Sequence, residues 1–494
     1  MLSRLSPHHP VVLHAGLDGP PARTSCSIYV RYRLDIWRSE EYKVKASSYT
    51  SLLQAVIAVY VIYTIEEVIM SFFDFLLDSD AQVVAREVRE FVKKEVDPAY
   101  LKAMDRDEIK FPREVYEKYA EHNLLGVRFP KKYGGRGLNW IAAVAAEAEV
   151  GYLSNACGCA FVMPDIVGEA LFRFGTEQQK QKYLKGMLKG KLVSAEALTE
   201  PRGGSDFFGA TSKAEDKGDY FLVNGQKRFV VGAEGADFFL VYVRTNFEPD
   251  ADPYQKISAL IIERSPGVEV SYLYNLLGTR GGGTGRLTFR NVKVPKSNLI
   301  GPLNGGALVF ARMMVPERLC SAAPVIGGMR NLLEIAARYS DRRRAFGRKI
   351  RKFQAVNSML ARGVTLMDAS AGMVYQAALA ADRDDPRLRR IVSETKRFAT
   401  DSVWEVANIA MQILGGIGYT DIYPVERVLR DARLTQIWTG SNEIMDQLVQ
   451  HEYYNEVLSE RDKYRDTEKD ASSADVRYEK IFDDEDMWKA HGKN

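Results

Sequence analysis

The chain has few histidines and places none where its glycine motifs lie. All six (His8, His9, His14, His122, His451 and His491) fall outside residues 123–450. That argues against a Ser-His-Asp or Cys-His engine, or a histidine-rich metal site, in the main body. Cysteine is also sparse: Cys26, Cys157, Cys159 and Cys320 suggest no disulfide framework, so a reducing compartment is expected. Cys157-Gly158-Cys159 lacks a second ligand pair and reads as small buried thiols, not zinc. Charge of one sign does not dominate: the formal net charge is +3, which gives no reason to expect a nucleic-acid partner. The strongest apolar run, LLQAVIAVYVIY at 52–63, is well short of the ~20 residues that span a bilayer. Glu66 and Glu67 follow it closely, so it reads as a buried strand or helix. A P-loop is missing as well. GGIGYT at 415–420 lacks the third glycine of a dinucleotide fingerprint and follows a helical pattern, not a strand.

What is there is ordinary globular material, 46% hydrophobic and 27% charged over 494 residues. Residues 1–69 show no sustained period. Arg4, Arg23 and few acids give their start a transit-peptide flavour, and a rival expectation is that translation begins at Met70. The expected compartment is prokaryote-like cytoplasm, with the mitochondrial matrix as the alternative. Over 70–194 the period is helical, as in VVAREVREFVKKEVDPAYL, and Thr176 with Gln179 forms a capping-box signal. Over 195–300 the period becomes two. FFLVYVRT, ISALIIE and GRLTFRNVKV read as strands, and YFLVNGQKRFVV reads as a hairpin turning at Asn224-Gly225. Over 301–455 long helical segments return, one with an expected kink at Pro324, and imply an antiparallel bundle. Residues 456–494 form a charged tail. The fold class is therefore α+β, mainly helical, with a β domain between two helical ones.

Two stretches carry chemistry. LTEPRGGSD at 198–206 runs a strand end into proline and glycines, exposing backbone N–H groups and Ser205. In isolation a simple turn cluster is the better reading. Arg342, Arg343 and Arg344 stand together near a helix end, where a pyrophosphate would suit them; a solvated basic face is the plainer alternative.

Taken together, LTEPRGGSD, NGQKRFV, GTRGGGTG with LTFRNVKVP, ERLCSAAPVIGG, RRRAFGRKIRKFQAV, QILGGIGYTDIYPVERVLRDA and IWTGSNEI resemble the motifs of the acyl-CoA dehydrogenase family, in that family's order. The resemblance covers about Met70 to Tyr454. It implies an N-terminal helical domain, a central β domain and a C-terminal four-helix bundle. It also implies a homotetramer (a dimer of dimers) with FAD between the β domain and the bundle, and no metal. The implied reaction is α,β-dehydrogenation of an acyl-CoA. A carboxylate takes the α proton, a hydride leaves the β carbon for flavin N5, and electrons pass to an electron-transferring flavoprotein. By the same resemblance Leu198 and Thr199 line the flavin ring, Ser205 touches flavin and the CoA arm, and Phe229 stacks near the isoalloxazine. Arg343, Phe346 and Gln354 hold the pyrophosphate and adenosine side across a subunit interface. Gln412, Gly415 and Gly416 join that nucleotide half, and Ser441 and Glu443 reach its ribose and adenine.

The chain departs from the family's pattern twice. Val231 stands where a Thr or Ser often faces flavin N5. Thr439 stands where many members carry the catalytic Glu. Glu317, in VPERL, matches the base position of the isovaleryl-CoA and long-chain branches, which lack the later Glu. By resemblance Glu317 is then the base, and Thr439 keeps a backbone N–H for the thioester carbonyl. Without the resemblance, Glu317 would read as a helix-start carboxylate. Arg318 would orient Glu317 or the CoA arm, with a surface ion pair as the bland alternative. Glu200 reads as structural. Two other hypotheses stay open: an oxidase, desulfinase or monooxygenase on the same fold, and a non-enzymatic acyl-CoA or subunit-interaction protein.

Overall fold

A computed structural model describes residues 76–459 and residue 465 in full, with the backbone of three earlier strands. The chain divides into two units, Met1–Phe75 and Leu76–Asn494. In the first, strands β1 (Val12–Leu17), β2 (Cys26–Arg31) and β3 (Glu41–Ala46) form an antiparallel sheet in the order β1-β2-β3. Regular structure thus exists where the sequence shows no period. The run at 52–63, the candidate start at Met70 and most of the charged tail lie outside the described residues.

The second unit opens with helices α1 (Ser79–Lys94), α2 (Pro98–Asp105), α3 (Arg113–Glu121), α4 (Trp140–Val150) and α5 (Asn155–Phe174). The Asp97-Pro98 step splits the first helical pattern in two, because Pro is tolerated only in a helix's first turn. Helix α5 is long and apolar enough to cross a membrane by composition, yet 83% of that stretch is buried inside the molecule. The capping box forms as expected: Gln179 N–H donates to Thr176 Oγ1 at 3.2 Å, and Thr176 N–H donates to Gln179 Oε1 at 2.7 Å.

The β domain contains β4 (Ser194–Ala197), β5 (Lys213–Asp216), β6 (Tyr220–Val230), β7 (Phe238–Arg244), β8 (Ile257–Glu263), β9 (Val268–Leu273), β10 (Gly285–Pro295) and β11 (Leu299–Ile300). The order is β11-β8-β7-β5-β6-β10-β9, and β4 adds to β7 in parallel. The first six residues of β7 and of β8 are all buried, so both strands are covered on both faces. That explains their unbroken apolar runs.

The expected hairpin at Asn224-Gly225 does not form. Residues 220–230 are one strand, and Gly225 lies mid-strand opposite Phe289. A Cβ there would lie 2.4 Å from Ser212 Oγ, so the glycine serves close approach and not a turn. Asn224 accepts from Asn291 N–H at 2.8 Å, at a bulge in β10. The tight hairpin is elsewhere. Strands β12 (Arg344–Ala345) and β13 (Arg348–Lys349) are joined by Phe346 and Gly347, with φ +50° and +76°, the signs a type I′ turn requires.

The bundle comprises α6 (Gly306–Arg342), α7 (Gln354–Asp382), α8 (Leu388–Leu414) and α10 (Asn442–Ser459), with α9 (Val425–Thr435) beside it. Helix α6 continues through Pro316 and Pro324. At Pro324 it meets the end of α4 so closely that a Cβ on Gly151 would fall 1.8 Å from the Pro324 carbonyl oxygen.

Candidate active site

The LTEP loop is built around Glu200. This carboxylate is buried and accepts from Thr211 N–H (2.6 Å), Thr211 Oγ1 (2.7 Å), Ser212 N–H (2.9 Å) and Lys227 Nζ (2.9 Å). Burial opposes its ionisation, but Lys227 and the donors of Thr211 overcome it and hold the carboxyl at about 2. Lys227 also donates to Leu198 O at 3.0 Å. Arg228 N–H reaches Thr199 O at 2.7 Å, so Leu198 and Thr199 are fixed beside the end of β6. Glu200 is structural, as its sequence position implies. Ser205 is exposed.

Phe229 follows directly. Its φ of +54° is uncommon for a bulky residue, and its ring is 53% exposed, packed 4.7 Å from the Tyr274 ring. The ring is left uncovered at a strand end, where a flat group could stack on it. Val231 and Gly232 turn inward and line a cleft with Phe111, Cys159, Met163 and Ser194. No side-chain hydroxyl is available at position 231 to touch a ligand.

Glu317 lies inside α6 and is 7% exposed. Burial raises its carboxyl above the ordinary value, while a hydrogen bond with Glu196 and the Arg318 guanidinium pull it back. Thr439 comes close to this turn. Ser321 Oγ donates to Glu317 O at 2.8 Å and lies 3.0 Å from Thr439 Oγ1. The Glu317 turn and Thr439 are therefore brought together through one serine. Thr439 has φ +52°, and its N–H has no acceptor among the described residues. Below it, buried Lys396 donates to Gly440 O and Asn442 Oδ1, both at 2.9 Å; burial and Arg318 bring its ammonium down to about 7.

Arg318 is buried, which removes the bland alternative of a surface ion pair. It is 4% exposed and donates to Ser393 Oγ at 3.0 Å, and no carboxylate lies within ion-pair distance among the described residues. Burial and Arg389 lower its guanidinium to about 10.

The residues expected on the nucleotide side are not enclosed in this one chain. Arg343, Phe346, Gln354, Gln412, Gly415, Gly416 and Glu443 are all exposed, Phe346 by 94%; Ser441 is half-buried. Arg342, Arg343 and Arg344 have no ion-pair partner among the described residues, although neighbouring Lys349 and Arg351 both hold Asp341. Gly415, at φ +65°, ends α8 with open space where a Cβ would be, as does Gly416.

Sequence patterns of the acyl-CoA dehydrogenase N-terminal, middle and C-terminal domains match residues 78–191, 195–292 and 304–453. The chain is 35% identical over 371 residues to an acyl-CoA dehydrogenase of Bacillus subtilis (strain 168), covering 74% of this chain and 96% of that protein. The chain belongs to the acyl-CoA dehydrogenase family. Another relative, the caffeyl-CoA reductase-Etf complex subunit CarC of Acetobacterium woodii, is 32% identical over 74% of this chain and 96% of its own length. The acyl-CoA dehydrogenase structure from Geobacillus kaustophilus superposes with a TM-score of 0.72 at 29% identity, covering 76% of this chain and 98% of that one.

The protein is thus an oxidoreductase of the acyl-CoA dehydrogenase family, and FAD is its cofactor. The residues present fit that group. The Phe229 platform suits a flat ring, and the uncompensated arginines suit a pyrophosphate. One buried residue went unread in the sequence: Glu196, the carboxyl against Glu317. Its signal was available, a lone acid in the otherwise apolar strand LVSAEAL.

Proposed function

We propose that the protein dehydrogenates an acyl-CoA thioester across its α and β carbons, with Glu317 as the base that takes the α proton. The observation that supports this most is Glu317 itself, a carboxylate held in a dry interior beside the Thr439 turn. An α proton next to a thioester is weakly acidic, so an exposed carboxylate would be a poor base for it. Burial strengthens Glu317, and the unpaired N–H of Thr439 is a donor that would stabilise charge developing on the carbonyl oxygen. FAD, when bound, supplies the hydride acceptor. Leu198, Thr199 and Phe229 would hold its ring, and Arg343, Phe346, Gln354, Gln412, Gly415, Gly416, Ser441 and Glu443 its nucleotide half. The exposure of that second set supports completion by a neighbouring subunit in a homotetramer. Ser205 and Arg318 are the candidates for the CoA side, although the burial of Arg318 favours a role in placing Glu317. Electrons would pass to an electron-transferring flavoprotein, in line with the naming of the Acetobacterium relative. The Glu317 arrangement leans toward branched or longer acyl chains, in β-oxidation or a similar degradation.

Glu317→Gln should keep FAD and lose anaerobic flavin bleaching by acyl-CoA by about 10³-fold or more. Near-normal bleaching would remove Glu317 as the base. Because the Acetobacterium relative is a reductase, the reverse direction is a second reading. Rapid reoxidation of the reduced enzyme by an enoyl-CoA, with slow bleaching by the saturated one, would favour it.

A further inference from the structure

Glu196 sits on β4, opposite Leu240 of β7, in a strand whose four residues are all buried. It is 9% exposed, and no cation lies within ion-pair distance of it among the described residues. What faces it is another carboxylic acid, Glu317 of α6, within hydrogen-bonding reach. The Tyr242 hydroxyl of β7 and Oε1 of Glu196 are buried near each other, neither with a hydrogen bond of good geometry. Cys159 of α5 and Arg318 of α6 complete the charged and titratable surroundings of the pair.

Two carboxylates in contact inside a protein do not both ionise; the first to lose its proton raises the cost of the second. A hydrogen bond between them also requires a proton, since two carboxylates have only acceptors. Geometry decides which acid keeps it. Glu317 lies next to the Arg318 guanidinium, whereas Glu196 has only Glu317, a tyrosine and apolar neighbours. Burial and the Glu317 charge accordingly push Glu196 well above the usual carboxylate range, whereas its hydrogen bond pulls Glu317 down.

We propose that Glu196 is a positioning residue that shares one proton with Glu317, donating a hydrogen bond that aims the base and keeps its carboxylate ionised. The inference rests on the reading of Glu317 as the base. When Glu317 takes a proton from substrate the pair holds two, and one must leave to solvent before the next turnover. The pair is therefore a buffer of one proton in each direction of the reaction.

Two measurements test this on the FAD-loaded protein. The first needs no substrate. The infrared difference between wild type and Glu196→Gln at neutral pH should show one protonated-carboxyl C=O stretch lost. No loss of such a band overturns the proposal. The second is the pH profile of flavin bleaching. Glu196→Leu removes the donor, so the acid limb should move up by about one pH unit, which lowers the rate about tenfold at any fixed pH well below the limb. Glu196→Gln retains a donor and should leave the acid limb near its wild-type position. A Leu variant with an unshifted limb, or a Gln variant shifted as far as Leu, overturns the proposal. If no acyl-CoA bleaches the wild type, the dehydrogenase reading fails, and the infrared comparison still decides the proton on Glu196.

Discussion

Glu196 and Glu200 stand four residues apart on one stretch of chain, both buried, in opposite circumstances. Glu200 has a lysine and three further donors, and its charge organises a loop. Glu196 has a second acid opposite it and one oxygen without a good partner. The difference shows how burial alone says little about a carboxylate. What separates a structural acid from one available for proton chemistry is whether its neighbours have already consumed its charge.

The comparison can be broken most severely at Lys227. Lys227→Met leaves Glu200 buried and uncompensated and should cost about 3–5 kcal/mol in urea unfolding. A loss below 1 kcal/mol would mean that the pair contributes little to the loop. A smaller effect separates the two acids by pH. Glu200 is depressed from 4.5 to about 2, so its stabilisation is present above about pH 4.5 and fades as pH falls toward 2. Glu196 is raised, so the folded state keeps a proton that the unfolded chain releases, and stability falls as pH climbs above 4.5. Glu200→Gln should then flatten the acid side of the stability curve and Glu196→Gln the neutral side. If both variants flatten the same side, the contrast is wrong. Smallest is Ser321→Ala, which removes the link between the turns of Glu317 and Thr439 and should cost about 1 kcal/mol. A sharper functional version is Glu317→Gly with Thr439→Glu. Partial recovery of bleaching over Glu317→Gly alone would show that both positions address one carbon.

Much of this was legible in the sequence, and the reasons differ by element. Strands β7 and β8, the long helices and the Thr176 cap follow from local rules of period and hydrogen bonding. The Asn224-Gly225 hairpin was misread because that dipeptide also suits a bulge opposite a close-packed serine, and which one forms is decided by β5 and β10. The burial of Arg318 was not legible because burial of a cation depends on helix α8, far along the chain. Glu196 was missed for the same reason: nothing local reveals that the residue facing it is also an acid. The nucleotide-side positions were readable only through their motifs, since in one chain they face open space.

The parallel seat of β4 on β7 has a consequence for assembly. Strands β5 and β6 come between the two in sequence, so β4 cannot be placed by a short turn. Closing that long span costs chain entropy that the rest of the sheet must already offset. The strand bearing Glu196, and with it the loop of Leu198 and Thr199, is therefore expected to dock after the local pairings form. Uptake of the yellow cofactor during refolding should then lag behind recovery of the helical signal.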